Sequence, residues 1–378
     1  MRTTIAAVLL AAAASSLHAG SNQWTHISPE TDFPVSAFAL DPSAPDRLYV
    51  AMLGNIARSR DGGLSWTSLP IYPVMNGDPI FRRIQIDPQR SGHIMVLSWQ
   101  GFYQSFDDGE TWTGGKFDQQ IGGFATEFAT SRDTATIYVA APTFCFGSCS
   151  GGGVFKSTNG GRNWSRTGLK DDTVTGLTVD PFDGNVTFAF QATENRAPGL
   201  LRTLDGGRTW AAISAPVTSG KLVADPITPG KLYLATNGSL WVTRDRGGSW
   251  ESVKQSWQVR VALLAFDPID PATVAVLTAV HPEGTTAPLP PTLPGPPLPP
   301  PQPTPAPPAT DLYGLMRSDD GGGTWNRVLS DAPPYPGRDF TESLSELFLD
   351  PRRTAFYVRT SNGVFGYTIF ERRRSVRR

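Results

Sequence analysis

The chain is short of the residues that build metal and redox centres. It has 378 residues but only two cysteines and four histidines. His18, His26, His93 and His281 are scattered, and no spacing of zinc or calcium ligands links them to acids. No metal and no cofactor is therefore expected. Cys145 and Cys149 are five residues apart counting both ends, close enough to staple a small loop in an oxidising compartment. A disulfide is the expected state; a metal site would need more ligands, and a reactive pair is the other alternative. Charge is also nearly balanced, at −1. That argues against a general polyanion binder, so no nucleic acid is expected as a partner. No apolar run is long enough to span a bilayer. Helical periodicity is missing as well. The apolar runs are short, alternating and bounded by Gly, Pro, Asn and Asp, which is the pattern of an all-β chain.

What is present is an octapeptide, repeated. Ser105-Phe-Asp107-Asp-Gly109-Glu-Thr111-Trp112 reads Ser/Thr-x-Asp-x-Gly-x-Thr-Trp. The same pattern starts at Ser59, Thr203, Thr243 and Ser318, with Asp61, Asp205, Asp245 and Asp320 at the third place. The copy starting at Ser157 is weaker, with Asn159 for Asp and Asn163 for Thr. Each copy lies between two short apolar runs, as a hairpin turn does. The Asp can accept backbone N–H bonds, and the Gly can take positive φ. The closing Trp is read as the first residue of the next strand and as the main anchor. Burying its ring removes roughly 150–250 Å² from water, whereas a turn hydrogen bond nets only about 1 kcal/mol. These acids are read as turn staples, not catalysts.

Around each copy one order recurs: a strand ending in Asp-Pro, a strand like Leu48-Tyr49-Val50, a third strand, the octapeptide, then the Trp strand. Spacing between the motif tryptophans suits one four-stranded propeller blade per repeat. Trp24 to Ile27 looks like a fourth strand with no octapeptide before it, and the region from Ser343 to Ile369 supplies three strands without a fourth. Together they make one blade. The expectation is a single seven-bladed β-propeller over residues 20–371, closed by pairing of the N-terminal strand with the C-terminal blade.

Residues 1–19 read as a secretory signal, with Arg2 ahead of an apolar core from Ile5 to Ala14. A secreted or periplasmic monomer is expected. A Pro-rich insert, residues 285–310, falls between the second and third strands of the sixth blade. It is read as a tolerated extended loop, with docking on a partner's aromatic groove as the alternative. Residues 372–378 form a basic tail, a solvated end or a contact for acidic lipid or a partner.

The octapeptide is the pattern of the Asp-box, or bacterial neuraminidase repeat. The chain resembles the seven-bladed photosystem II assembly factors and the sortilin-type ring, whose members bind polypeptides. More distantly it is similar to sialidases and xyloglucan hydrolases. The sialidase resemblance implies an Arg-Ile-Pro motif ahead of the first copy; here the nearest match, Arg83-Ile84-Gln85, lacks the Pro and follows it. The xyloglucan-hydrolase resemblance implies facing carboxylates, yet the early loop Met52 to Asn55 carries none. The expected function is non-catalytic binding or assembly, recognising a polypeptide or glycan on the channel face; the alternative is a glycoside hydrolase. Candidate ligand residues lie in the loops between blades and between second and third strands: Tyr72, Asp78, Trp99, Asp171, Glu194, Arg196, Trp257, Arg260, Tyr335, Arg338 and Asp339.

Overall fold

The structure, a computed structural model, describes residues 24–29, 34–71, 80–117, 121, 125–142, 144–146, 148–150, 152–170, 173–193, 196–226, 228–236, 239–253, 260–267, 272–279, 313–329, 346–350, 355–360 and 363–368. These residues form seven four-stranded antiparallel sheets and one small hairpin, with no helix among them. The innermost strands are Ala37–Leu40, Phe81–Ile86, Glu127–Thr130, Val174–Asp180, Lys221–Ala224, Arg260–Phe266 and Glu346–Leu349, which start blades 1 to 7. Each inner strand contacts the next, and that of blade 7 contacts that of blade 1, so the sheets close a ring. The seam is Trp24–His26 added as the outer strand of blade 7, with Trp24 opposite Tyr367 and His26 opposite Phe365. Closure leaves no inner strand with an open neighbour.

The core lies between blades, because each sheet carries apolar residues on both faces. Ala37, Ala39 and Tyr49 of blade 1 pack against Ile84, Ile86 and Ile94 of blade 2. Tyr138 and Ala140 of blade 3 pack against Leu177 and Val179 of blade 4. The second-strand tyrosines also strut neighbouring blades. Tyr138 donates to the Gly184 carbonyl at 2.8 Å and Tyr233 to that of Gly321 at 3.0 Å, while Tyr49 donates to Asp108. Six of the seven inner strands end at a buried acid, and that of blade 3 ends at Ser131. Asp41 accepts from Ser43 and Arg47, and Asp87 is bonded to His93 at 2.8 Å.

The octapeptide turns share one geometry. In blade 2, Ser105 Oγ donates to Asp107 at 2.8 Å and accepts the Gly109 N–H at 2.7 Å. Asp107 accepts the Thr111 N–H at 2.8 Å and its hydroxyl at 2.5 Å. Gly109 has φ +89°, and a Cβ there would stand 2.5 Å from Leu69 Cδ1 of blade 1. The Gly thus serves a close approach between blades as well as a turn. The Trp differs from its sequence reading in two ways. It lies one residue before the outer strand, which begins at Thr67 after Trp66 and at Thr113 after Trp112. Only Trp112 is buried; the other five motif tryptophans are half-buried.

The Cys145 region also differs. Instead of a plain loop it forms a hairpin, Phe144–Phe146 with Ser148–Ser150, that sets the backbone of Cys145 opposite Cys149. Residues 1–19, 285–310 and 372–378 lie outside the described residues. No helix of the described residues is long and apolar enough to cross a membrane.

Candidate functional site

Most of the loop candidates lie outside the described residues: Tyr72, Asp78, Asp171, Glu194, Trp257, Tyr335, Arg338 and Asp339. For Arg196 and Arg260 the structure places only the backbone, at the start of a third strand and of an inner strand. Trp99 is placed in full. It sits in the tight turn between Ile94–Ser98 and Gly101–Ser105. Its N–H donates to the Ile80 carbonyl at 3.0 Å, and its carbonyl accepts the Ala125 N–H at 3.2 Å. The turn is therefore tied to the entries of two blades. The Arg82 guanidinium lies over the Trp99 ring, 4.4 Å from its centroid. Arg82 gets there by a bulge: Phe81 faces Ser98 and Arg83 faces Leu97, so Arg82 is the extra residue. Bulges recur at the equivalent place in blades 4 and 6, at Thr175 and Ala262, whereas the short inner strands of blades 1, 3, 5 and 7 run without one.

Below this mouth the inner strands enclose a cavity of about 490 Å³. Its charged lining is Arg83, Glu127, Lys221 and Glu346. All four occupy one layer, four residues ahead of the position where the inner strand ends in the buried Asp (Ser131 in blade 3). Around the ring this layer reads Ala37, Arg83, Glu127, Gly176, Lys221, Leu263, Glu346. Arg83 of blade 2 pairs with Glu127 of blade 3. Glu346 pairs with Arg359, its cross-strand partner, at 2.8 Å, and Arg359 also donates to the Val35 carbonyl at 3.3 Å. One layer lower, Gln85 donates to Thr130 Oγ1 at 3.1 Å.

The electrostatics are uneven. Burial works against the charged form of Arg83, but the carboxylates of Glu127 and Glu346 outweigh it and hold its pKa above the ordinary arginine value. The Lys221 side chain lines the channel cavity and is exposed to the solvent that enters it. Desolvation by the channel wall, helped by the charge of Arg83, pulls its pKa below the ordinary lysine value, with Glu346 and Glu127 opposing. Among the described residues Lys221 has no ion pair. It is flanked in the layer by Gly176, which has no side chain, and by Leu263, which has no charge.

Sequence reasoning looked for the site in loops and missed Glu127, Lys221, Glu346 and Arg359; it weighed Arg83 only against a motif that does not fit. The signal was available in the distance from the Asp that ends six of the seven inner strands, with Ser131 in its place in blade 3. Among the described residues no group of three His, Cys, Asp or Glu side chains is placed to hold a metal ion.

Ring closure, seven blades and a charged central cavity define a closed seven-bladed β-propeller with a polar channel. No family model matches the chain. A xyloglucanase from Paenibacillus sp is 27% identical over 356 residues, covering 82% of this chain and 28% of that protein. The chain thus spans less than a third of the length of this curated relative. Among solved structures, a GH74 enzyme of Niastella koreensis superposes with a TM-score of 0.63 at 16% identity, over 91% of this chain and 53% of that one. YCF48 from Cyanidioschyzon merolae gives 0.56 at 14% identity, over 92% and 98%. YCF48 bound to D1 peptide gives 0.60 at 14% identity, over 93% and 98%. At such identities these likenesses establish the fold alone.

Proposed function

We propose that this chain is an exported, non-catalytic propeller of the Asp-box kind that recognises a polypeptide or a glycan on its channel face. The observation that carries this reading is the pairing of the channel carboxylates. Glycoside hydrolysis uses two acids, one of which must hold a proton. Here Glu127 and Glu346 are each engaged in an ion pair with an arginine, Arg83 and Arg359, so neither carboxylate stands free to act on a sugar. The Arg82–Trp99 stack at the mouth suits recognition, since it offers a fixed cation on an aromatic base. A propeller that spans nearly all of YCF48, which is known bound to D1 peptide, supports a polypeptide ligand. Export rests on Arg2 and the apolar core from Ile5 to Ala14. The second reading, a glycoside hydrolase, is favoured by the 27% identity to the xyloglucanase.

The test uses the full chain on peptide and glycan arrays, beside an assay for reducing sugar released from xyloglucan and from chromogenic glycosides. Saturable binding to one ligand class, lost in Arg82→Ala/Trp99→Ala, with no sugar released, is the expected result. Release of sugar that disappears in Glu127→Gln or Glu346→Gln would overturn the reading in favour of the hydrolase.

A further inference from the structure

We propose that the central channel is a carboxylate-binding site in which Lys221 receives the carboxylate of a small organic monoanion. The site needs only the channel, and stands whether the outer ligand is a polypeptide or a glycan.

The argument starts from the layer of seven inner-strand residues. Two carboxylates in or behind it, Glu127 and Glu346, each have their own arginine, Arg83 and Arg359. Among the described residues of the layer and its backing strand, three cations therefore stand against two anions, and Lys221 is the cation left over. It lines the cavity with no ion pair among the described residues. Its side chain is open to the solvent of the channel, and a carboxylate that enters the cavity meets the ammonium with charge-assisted hydrogen bonds. One excess charge also selects the ligand. A monoanion neutralises the set, whereas a dianion such as phosphate adds a net negative charge beside Glu127 and Glu346. Lysine rather than arginine suits a single-point contact, because its ammonium acts as a compact charge without a fixed fork.

Room for the ligand comes from Gly176. Its backbone φ is not in the positive range, and a Cβ there would meet only the Phe190 side chain, Cδ2 at 3.4 Å and Cβ at 3.9 Å. Nothing in the turn geometry calls for glycine at this position. Blades 4 and 5 are related as blades 2 and 3 are, and Gly176 stands to Lys221 as one layer residue stands to its neighbour in the pair Arg83 and Glu127. A side chain at 176 would occupy the space beside the ammonium, and a carboxylate there would pair with it. The cavity of about 490 Å³ lies within the range of small-molecule sites. Hydrogen-bonding groups for the remainder of a ligand are at hand in Gln85, Thr130, Thr175 and Thr178.

The test is calorimetric titration of the full chain at constant ionic strength. Acetate, glucuronate and doubly capped glutamate are the probes; glucose and doubly capped glutamine are the neutral matches, and phosphate and chloride the other anions. The expected result is saturable binding of at least one carboxylate, with its neutral match and phosphate weaker by roughly tenfold or more. Preference for glucuronate over capped glutamate assigns the carboxylate to a sugar acid, and the reverse assigns it to an acidic residue. Lys221→Gln should lose roughly tenfold in affinity, and Lys221→Arg should keep most of it. Gly176→Glu should lose it as Lys221→Gln does, by supplying an internal carboxylate. Gly176→Ala, with the same thermal midpoint and binding retained, controls for loss of glycine. Binding unchanged in Lys221→Gln, equal binding of chloride, or no saturable binding of any of the three carboxylates would overturn the proposal.

Discussion

The octapeptide turns and the channel layer are both built once per blade, yet they behave oppositely. At the turns the copies converge. Ser or Thr, Asp, Gly and Thr or Ser recur in five copies, and the bond from the first hydroxyl to the third-place Asp, or to Asn159 in the weak copy, is present at 2.7–2.9 Å in all six. In the channel layer the copies diverge into alanine, arginine, glutamate, glycine, lysine and leucine, with glutamate alone used twice. The turns repeat because each solves the same problem, seating one blade on the one before. The channel layer faces no such requirement at Arg83, Glu127, Lys221 and Glu346, since these side chains line a shared cavity and only their sum must be tolerated. Repetition marks what holds the ring together; its breakdown marks where chemistry can differ from blade to blade.

The largest expected effect sets the two glycines against each other. Gly109→Ala forces a side chain into φ +89° and brings its Cβ within 2.5 Å of Leu69. Backbone strain and overpacking each cost roughly 1–3 kcal/mol, so a loss of about 3 kcal/mol is expected, read from the midpoint of chemical denaturation. Gly176→Ala meets neither obstacle and should stay within about 0.5 kcal/mol of the parent. Equal losses at the two sites would erase the distinction between turn and channel.

A smaller effect tests the paired charges. Glu127→Gln leaves Arg83 without its carboxylate in a partly exposed channel site, where side-chain exposures of 33% and 25% allow water to screen the loss. A destabilisation of about 1 kcal/mol is expected. The same variant frees a second cation, so affinity for carboxylates should rise severalfold in the titration. A fall in affinity would mean that Glu127 holds the ligand and does not merely neutralise Arg83.

The ring itself was legible in the chain because closure leaves a trace at both ends: Trp24 lacks a preceding octapeptide, and Gly363–Thr368 lacks a following strand. The motif spacing supplied the blade count for the same reason. The channel was not legible. Lys221 and Glu346 look like ordinary alternating residues of short strands, and their meaning depends on which neighbours share a layer. That is set by register, and three blades shift theirs by a bulge at Arg82, Thr175 and Ala262. Arg359 was hidden further, since its partner Glu346 is defined by pairing across the sheet. The tryptophans were overvalued because a transfer energy for a whole ring was applied to side chains that, Trp112 apart, are half-buried.

Acid should expose the turns selectively. Hydrogen bonds from Ser249 and Thr324, hydroxyl and backbone N–H alike, hold Asp245 and Asp320 down at about 2, from the ordinary 3.8. Their pKa values are lower folded than unfolded. Their contribution is therefore present above about 3.8 and is lost as the pH falls towards about 2. Thermal midpoints measured across that window should fall in the parent protein. In Asp245→Asn/Asp320→Asn they should start lower and fall less steeply, because two of the titrating groups are gone. Parallel curves would show that these turns are not what acid attacks.

The smallest effect concerns the weak copy. Asn159 accepts the Asn163 N–H at 3.0 Å and the Ser157 hydroxyl at 2.9 Å, so the turn keeps its shape without a carboxylate. What it lacks is the hydroxyl-to-carboxylate bond that Thr111 makes to Asp107 and Thr209 makes to Asp205. Its Trp164 still packs edge-on against Phe102 of blade 2 and Phe117, at 5.7 and 5.6 Å, and Gly161 still abuts Phe102. Seating on the neighbouring blade thus survives the loss of the charge. Asn159→Asp with Asn163→Thr restores the missing bond at an exposed site, where its net worth is about 0.5–1 kcal/mol. The double variant should gain that much in denaturation midpoint, and the gain should vanish below the pH at which the new carboxylate protonates. A gain as large as the loss from Gly109→Ala would place the anchoring of the turns in the acid; a gain of this small size places it in the contact between glycine, tryptophan and the preceding blade.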